Sequence, residues 1–247
     1  MSNTHLLTDW VEFNGRSSKD LGLTLNLDGF EWVHPQKQID YVSIPGTSNE
    51  IAHIEDKYAP VTQTFNLVIE RMQKDILKKS SDVVAWVSEV DDYKKLRTNL
   101  YPDYFFWALP YNVDSLKRHM SIIGDFALTF HLKPYAFVEG SDQYLQVGGG
   151  AQLLNSENYD ALPRFHLSGS GDCSININGT SYNLTGVSGD LYIDSTARKV
   201  WDSSGNLATT NIQFEHYPYL PKNSTISISA GGGISSLEVM PLWRRIF

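Results

Sequence analysis

The chain has 247 residues, of which 41% are hydrophobic, 12% aromatic and 19% charged, a globular balance that excludes a disordered chain and suffices for one large β-rich domain or two smaller ones. The net charge of −8 is evenly spread: 14 Lys/Arg stand against 18 Asp/Glu up to residue 138, and 6 against 10 beyond it, so neither half offers a basic face for a phosphate backbone. The single cysteine, Cys173, excludes an intrachain disulfide and a zinc knuckle. Met1 to Trp10 lacks the basic-then-apolar pattern of a secretory signal, and no run of about 18 apolar residues occurs, so the expectation is synthesis in a cytoplasm without a membrane span.

In chain order, Val11–Phe13 alternates and ends on Asn14-Gly15. Leu21, Leu23, Leu25 and Leu27 share one face of an extended segment closed by Asp28-Gly29. Ile39–Ile44 reads as a strand stopped by Pro45-Gly46, and Thr64–Glu70 alternates again. The period then changes. Val83, Trp86, Val87 and Val90 recur at helical spacing, giving a helical insert over about 74–97, with Ser81 or Asp82 as cap and a break expected near Ser80-Ser81. Asp103–Leu109 is an aromatic strand bounded by Pro102 and Pro110, with Phe105 and Trp107 on a core face. Phe126, Leu128, Phe130 and Leu132 share a strand face that Pro134 is expected to end.

The polar stretch Glu139–Gly150, closing in a glycine triplet, marks a boundary, so the domains are expected at 1–138 and 139–247. Beyond it lie short strands and turns: Arg164–Leu167, Ser174–Ile177, Thr180–Leu184, Leu191–Asp194, Lys199–Asp202, Thr225–Ser229 and Leu237–Met240. Asn178-Gly179 is the strongest hairpin signal among them. This regular punctuation reads as a β-sandwich, with both glycine triplets as flexible turns. The fold class expected is mainly β with a small α insert.

The residues carry little chemistry. No His pair has the four-residue spacing of a zinc protease, no G-x-S-x-G elbow occurs, and neither glycine triplet leads into Lys-Ser/Thr as a phosphate loop requires. His53, Glu55 and Asp56 read as a solvated loop rather than a metal or acid–base cluster, and Cys173 as a buried structural thiol. No catalytic, cofactor or metal residue is assigned, and the expectation is a non-enzymatic protein. Tyr104–Trp107 as a stacking platform and Trp201 as an exposed aromatic of the sandwich are the candidates for saccharide contact, with a core role favoured for the first and a core or edge role for the second.

Several patterns, in order, resemble the distal tail proteins of long-tailed phages infecting Gram-positive bacteria. They are Phe13-Asn14-Gly15 followed by Ser18–Leu23; Val42–Ser48, similar to the family's I-P-G-R-x-G turn without its Arg and final Gly; the helix and aromatic strand of Val83–Leu109; and Phe126–Tyr135. The second half adds Ile175–Gly179, Leu191–Asp194, Leu220–Ile226 (with Lys222 where the family often has Gly) and Pro241–Arg244. The resemblance implies a split-barrel-like belt domain followed by a galectin-like β-sandwich. It also implies a homo-hexameric ring at the tip of a long non-contractile tail, in the virion. Its partners would be the tail tube protein, a tail-associated lysin or hub protein, and receptor-binding or baseplate proteins; DNA would pass through without specific binding, and no cofactor or membrane is involved. A closed ring needs two different patches on each subunit. The hairpin from Pro45-Gly46 to Tyr58 is the candidate for one of them, with Ile44, Pro45, Gly46, Ile51 and Ile54 as its interface residues, because Ile51 and Ile54 stand in an otherwise polar loop. A carbohydrate-binding module contacting host cell-wall saccharide, a tail-tip peptidoglycan hydrolase and a tail-tube protein are the competing readings.

Overall fold

The computed structural model describes residues 9–69, 76–113, 117–119, 123–208 and 212–247, and it groups the chain into two units: Met1–Ala136 with Ile246–Phe247, and Phe137–Arg245. The last two residues thus return to the first unit, which a single boundary near 138 does not anticipate. Residues 74 and 75 of the expected helical insert lie outside the described residues.

The first unit contains β1 (Val11–Phe13), β2 (Arg16–Ser17), β3 (Leu23–Leu25), β4 (Lys37–Ser43), β5 (Glu50–Tyr58), β6 (Val61–Ile69), α1 (Ile76–Ser88), β7 (Lys94–Thr98), β8 (Tyr104–Val113), β9 (Lys117–His119) and β10 (Ile123–Val138). The main sheet runs β2-β1-β7-β8-β10-β6-β3, while β4 and β5 form a separate two-stranded sheet. β6 shows why the sheet has one inner face: Val61, Gln63, Phe65, Leu67 and Ile69 are buried and every residue between them is less so. β10 pairs with it in register from Leu132↔Val61 to Asp125↔Val68, so Phe126, Leu128 and Phe130 enter the same core. Phe13, Phe65 and Phe130 meet there, with Phe130 centred 5.0 Å from Phe13 and 6.0 Å from Phe65.

Helix α1 lies against this core through Val83, Trp86 and Val87. The buried Trp86 Nε1–H donates to the Phe13 carbonyl at 3.0 Å, which ties the helix to β1. The expected break at Ser80-Ser81 is absent: both serines lie inside one helix, and Ser81 and Asp82 do not cap its start. Serine inside a helix costs only about 0.5 kcal/mol, less than the packing of one buried valine or tryptophan returns. Nor does helix extend to 97. Lys94–Thr98 is a strand with Leu96 and Thr98 inward, paired to β1 and β8.

Two prolines expected to end strands lie inside them. Pro110 falls within β8 and Pro134 within β10. Each lies just past the end of a neighbour: β7 begins opposite Ala108, and the last β6 pair is Leu132↔Val61. A missing N–H costs little where that partner has stopped.

The second unit contains β11 (Leu145–Gln146), β12 (Ala151–Asn155), β13 (Arg164–Ile177), β14 (Thr180–Asp194), β15 (Lys199–Asp202), β16 (Ile212–Gln213) and β17 (Ser224–Met240). Its antiparallel sheet is ordered β11-β17-β13-β14-β15, with β12 on β17 and β16 on β14. Of the expected short strands, Lys199–Asp202 is β15 with the bounds expected, and the other six are halves of long ones. β13, β14 and β17 each pass through an irregularity near Gly169–Cys173, and residues from both halves gather in one core that includes Phe165, Leu167, Ile175, Leu184, Ile193, Ile228 and Val239. Asn178 and Gly179 both have positive φ, 50° and 86°, as the tight β13–β14 hairpin demands.

The second glycine triplet is not a flexible turn. Gly231, Gly232 and Gly233 lie within β17, where the strands approach so closely that a Cβ on Gly233 would overlap the Ser170 carbonyl oxygen, and one on Gly232 that of Asp172. By contrast, Gly148–Gly150 does lie in a turn, with Gly150 at φ 78° and open space around all three.

Candidate assembly interface

The β4–β5 hairpin stands out by what it fails to bury. Every residue from 36 to 54 is exposed, although the segment is folded as a regular antiparallel pair from Ile39↔Ile54 to Ser43↔Glu50. Its tip is the Ile44–Thr47 turn, in which the Thr47 N–H donates to the Ile44 carbonyl at 3.2 Å. Pro45 occupies the second position and Gly46, at φ 80°, the third, the residue order of a type II turn. Thr47 Oγ1 accepts from the Asn49 N–H at 3.2 Å, so the loop closes on itself.

The root is held from the first unit's sheet. Gln63 is buried on β6. Its Oε1 accepts from the Val33 N–H at 2.9 Å, and its Nε2 donates to the Glu31 and Thr64 carbonyls at 3.0 and 3.1 Å. One amide side chain thereby fixes the backbone that rises into the hairpin. Across the root, the Ala59 N–H donates to the Gln36 carbonyl at 2.9 Å, and Tyr58 meets Tyr135 edge-on at 6.4 Å. The pairing between Lys37 and Ile39 is irregular.

Of the interface candidates, Ile44 is 37% exposed and Ile51 and Ile54 57% each, so none of the three packs into the described residues as a core residue does. Ile51 and Ile54 point to opposite faces. Ile54 lies across from Ile39 and beside Tyr41, while Ile51 lies across from Val42. Tyr41 and Val42, exposed at 64% and 57%, were not singled out from the sequence, although their alternation with Ile39 carried the signal. His53 faces Asp40 across the hairpin, and the side chains of Glu55 and Asp56 lie outside the described residues.

Trp201 is half-buried on the second unit. It belongs to a cross-strand row of Glu238, His166, Tyr192 and Trp201 on one face of the sheet. The Tyr192 ring stacks on His166 at 4.5 Å and on Trp201 at 5.8 Å, nearly parallel in both cases. His166 Nδ1 lies 2.8 Å from Glu238 and its Nε2 3.4 Å from Asp190. Asp190 also accepts from Ser168, and that hydrogen bond, together with His166, holds its carboxyl below the usual carboxylate range. One face of Trp201 is therefore taken up by Tyr192, and the strand returning at Leu207 lies on its other side.

Elsewhere, Phe105 and Phe106 are both buried, and Trp107 meets Phe105 edge-on at 5.5 Å, so the aromatic strand buries a ring on each face. Cys173 is buried, and burial pushes its thiol pKa up, the opposite of what activates a nucleophile. Among the described residues no group of three or more His, Cys, Asp or Glu is placed to hold a metal ion, and no helix is long and apolar enough to cross a membrane.

No protein-family model and no curated protein matches the sequence. Among solved structures, the chain is similar to the crystal structure of the Dit (gp 19.1) protein of SPP1, described as a paradigm of the hub adsorption apparatus in phages infecting Gram-positive bacteria. The similarity covers 94% of this chain and 97% of that one, with a TM-score of 0.68 and 8% identity. At that identity the likeness is one of fold, and it extends over both units: the chain has the mainly β fold of a phage tail hub protein, the fold that its ordered motifs resemble.

Proposed function

We propose that this chain is a structural subunit of the hub at the tip of a long non-contractile phage tail. In this reading six copies close into a ring between the tail tube protein and a tail-associated lysin or hub protein, and the second units carry receptor-binding or baseplate proteins. The observation that carries the reading is the exposed β4–β5 hairpin on a chain whose fold matches a hub protein from end to end. An isolated two-stranded hairpin is marginal in water, and apolar side chains on both of its faces call for a covering partner. The net charge of −8 suits a channel past which DNA slides without sticking.

The test is the solution mass of the full chain by light scattering on a sizing column. A species near six times 27.8 kDa supports the ring, and twice that mass indicates two stacked rings. Long tubes in the electron microscope would instead identify a tube protein. A monomer that stays monomeric when mixed with tail-tube and lysin partners refutes the hub reading.

A further inference from the structure

The chain holds two Asn-Gly pairs, Asn14-Gly15 and Asn178-Gly179. Each fills the two-residue loop of a hairpin, closed by Phe13↔Arg16 between β1 and β2 and by Ile177↔Thr180 between β13 and β14. The backbones match, with φ of 52° and 76° in the first loop and 50° and 86° in the second. All four residues are exposed, and neither glycine has an atom within 4 Å of the place a Cβ would take. The loops differ in their hydrogen bonds. Asn178 Oδ1 accepts from the Ser227 N–H at 2.8 Å and from the Ser227 hydroxyl at 3.4 Å, and the Gly179 N–H donates to Asn176 Oδ1 at 3.0 Å. In the first loop the Asn14 backbone N–H donates to the Lys95 carbonyl at 3.0 Å, and among the described residues neither the Asn14 side-chain amide nor the Gly15 N–H has a hydrogen-bond partner.

We propose that Asn14 is a site of spontaneous covalent modification, deamidation through a cyclic imide, and that the fold shields Asn178 from the same reaction. The Gly15 nitrogen attacks the carbonyl carbon of the Asn14 side chain and gives up its proton. The bond from that carbon to the side-chain nitrogen breaks, and ammonia leaves. Water then opens the five-membered imide at either carbonyl, so position 14 becomes aspartate or isoaspartate, with one water consumed for each ammonia released. Glycine favours ring closure because it puts no side chain in the way. The reaction further needs an amide side chain free to turn and a backbone nitrogen free to meet it, and the first loop offers both. In the second loop Ser227 holds the amide and Asn176 holds the nitrogen; having to release these bonds first slows the step about tenfold. The change reaches beyond the turn. Either product adds a carboxylate, and isoaspartate also lengthens the backbone of a loop that closes with two residues. That distortion falls on Phe13, whose carbonyl accepts the Trp86 indole N–H and so anchors α1.

The full chain is incubated at mildly alkaline pH, folded or in urea, and then digested with trypsin. The peptides ending at Arg16 and at Arg198 carry the two sites, and fragmentation in the mass spectrometer separates each from the other asparagines on its peptide. Conversion of amide to carboxylate gives each rate, and labelling by an isoaspartyl methyltransferase scores the isoaspartate. In the folded chain Asn14 is expected to convert about tenfold faster than Asn178, and in urea the two rates are expected to converge. Equal rates in the folded chain overturn the proposal. So does a difference that persists unchanged in urea, since it then belongs to the local sequence and not to the fold. Asn176→Ala removes the acceptor of the Gly179 N–H and is expected to raise the rate at Asn178 severalfold while leaving Asn14 unchanged; no rise in this variant refutes the shielding.

Discussion

Gly233 and Gly149 stand in two triplets of the same composition and have opposite structural roles, so replacing each by alanine tests the close approach of β13 and β17. A Cβ on Gly233 would overlap the Ser170 carbonyl oxygen, and one on Gly169 would come within 2.8 Å of the Gly233 carbonyl oxygen. Both obstacles are backbone, held by ladder pairs Gly169↔Ile234 and Cys173↔Gly232, so no side chain can rotate aside and the strands themselves must part. Overpacking of a core costs about 1–3 kcal/mol, and with backbone as the yielding group Gly233→Ala is expected at the upper end, about 3 kcal/mol. Gly149 has open space around it and no positive φ, so Gly149→Ala is expected to stabilise by about 0.4–1 kcal/mol through the unfolded chain. Urea unfolding followed by hydrogen exchange on peptides from 137–245 reads the second unit by itself. With a slope of about 1–3 kcal/mol per molar urea, the Gly233→Ala midpoint should fall by about 1–3 M. If the two variants behave alike, or if Gly233→Ala stays within about 0.5 kcal/mol of the parent, the strands do not touch there as described.

Gln63→Leu keeps the volume on β6 but leaves the Val33 N–H and Glu31 carbonyl without their partner. Because that backbone is partly solvated, the expected loss is about 1–2 kcal/mol, with faster exchange at 31–36 as the specific readout. Phe247→Ala removes a ring that meets Tyr101 at 4.2 Å and Trp32 and Phe106 at 5.7 Å; for this partly buried side chain a loss of about 2 kcal/mol is expected, read in the melting of the first unit and not the second. Asp190 has a depressed pKa, so the stability it contributes is present above the ordinary carboxylate pKa and is lost as pH falls through the depressed value. Asp190→Asn is therefore expected to flatten the decline of stability below about pH 4, measured by acid-dependent urea midpoints. In the native protein Cys173 is expected to resist a thiol-reactive dye and to react only on unfolding.

How much of this was legible in the sequence follows from whether alternation keeps its phase. β6 and β10 hold theirs, so their inward residues could be read directly. β14 and β17 do not. On β14 the buried hydrophobic residues are Tyr182 and Leu184 before the irregularity and Val187, Leu191 and Ile193 after it; on β17 they are Ile226 and Ile228, then Leu237 and Val239. The switch from even to odd makes one bent strand look like two short ones with a loop between. Pro110 and Pro134 misled for a related reason: whether a proline ends a strand depends on where its neighbour stops, which is a property of the pairing and not of the local residues. The candidate hairpin was found through Ile51 and Ile54 in the otherwise polar loop after Pro45-Gly46, but Tyr41 and Val42 were not singled out. Exposure of an apolar strand is invisible to periodicity.

The irregular pairing between Lys37 and Ile39 sits at the root of the hairpin, and since an irregularity of this kind bends the strand that carries it, it bears on the angle at which the hairpin leaves the sheet. In a head-to-tail assembly that angle fixes the rotation from one subunit to the next, and a ring forms only when the rotation divides a full circle without a rise. In the proposed ring, a small local change at this bend would therefore act globally: with the same contact surfaces intact, the assembly would wind into an open helix. The geometry of a few residues at the root would then decide whether growth stops.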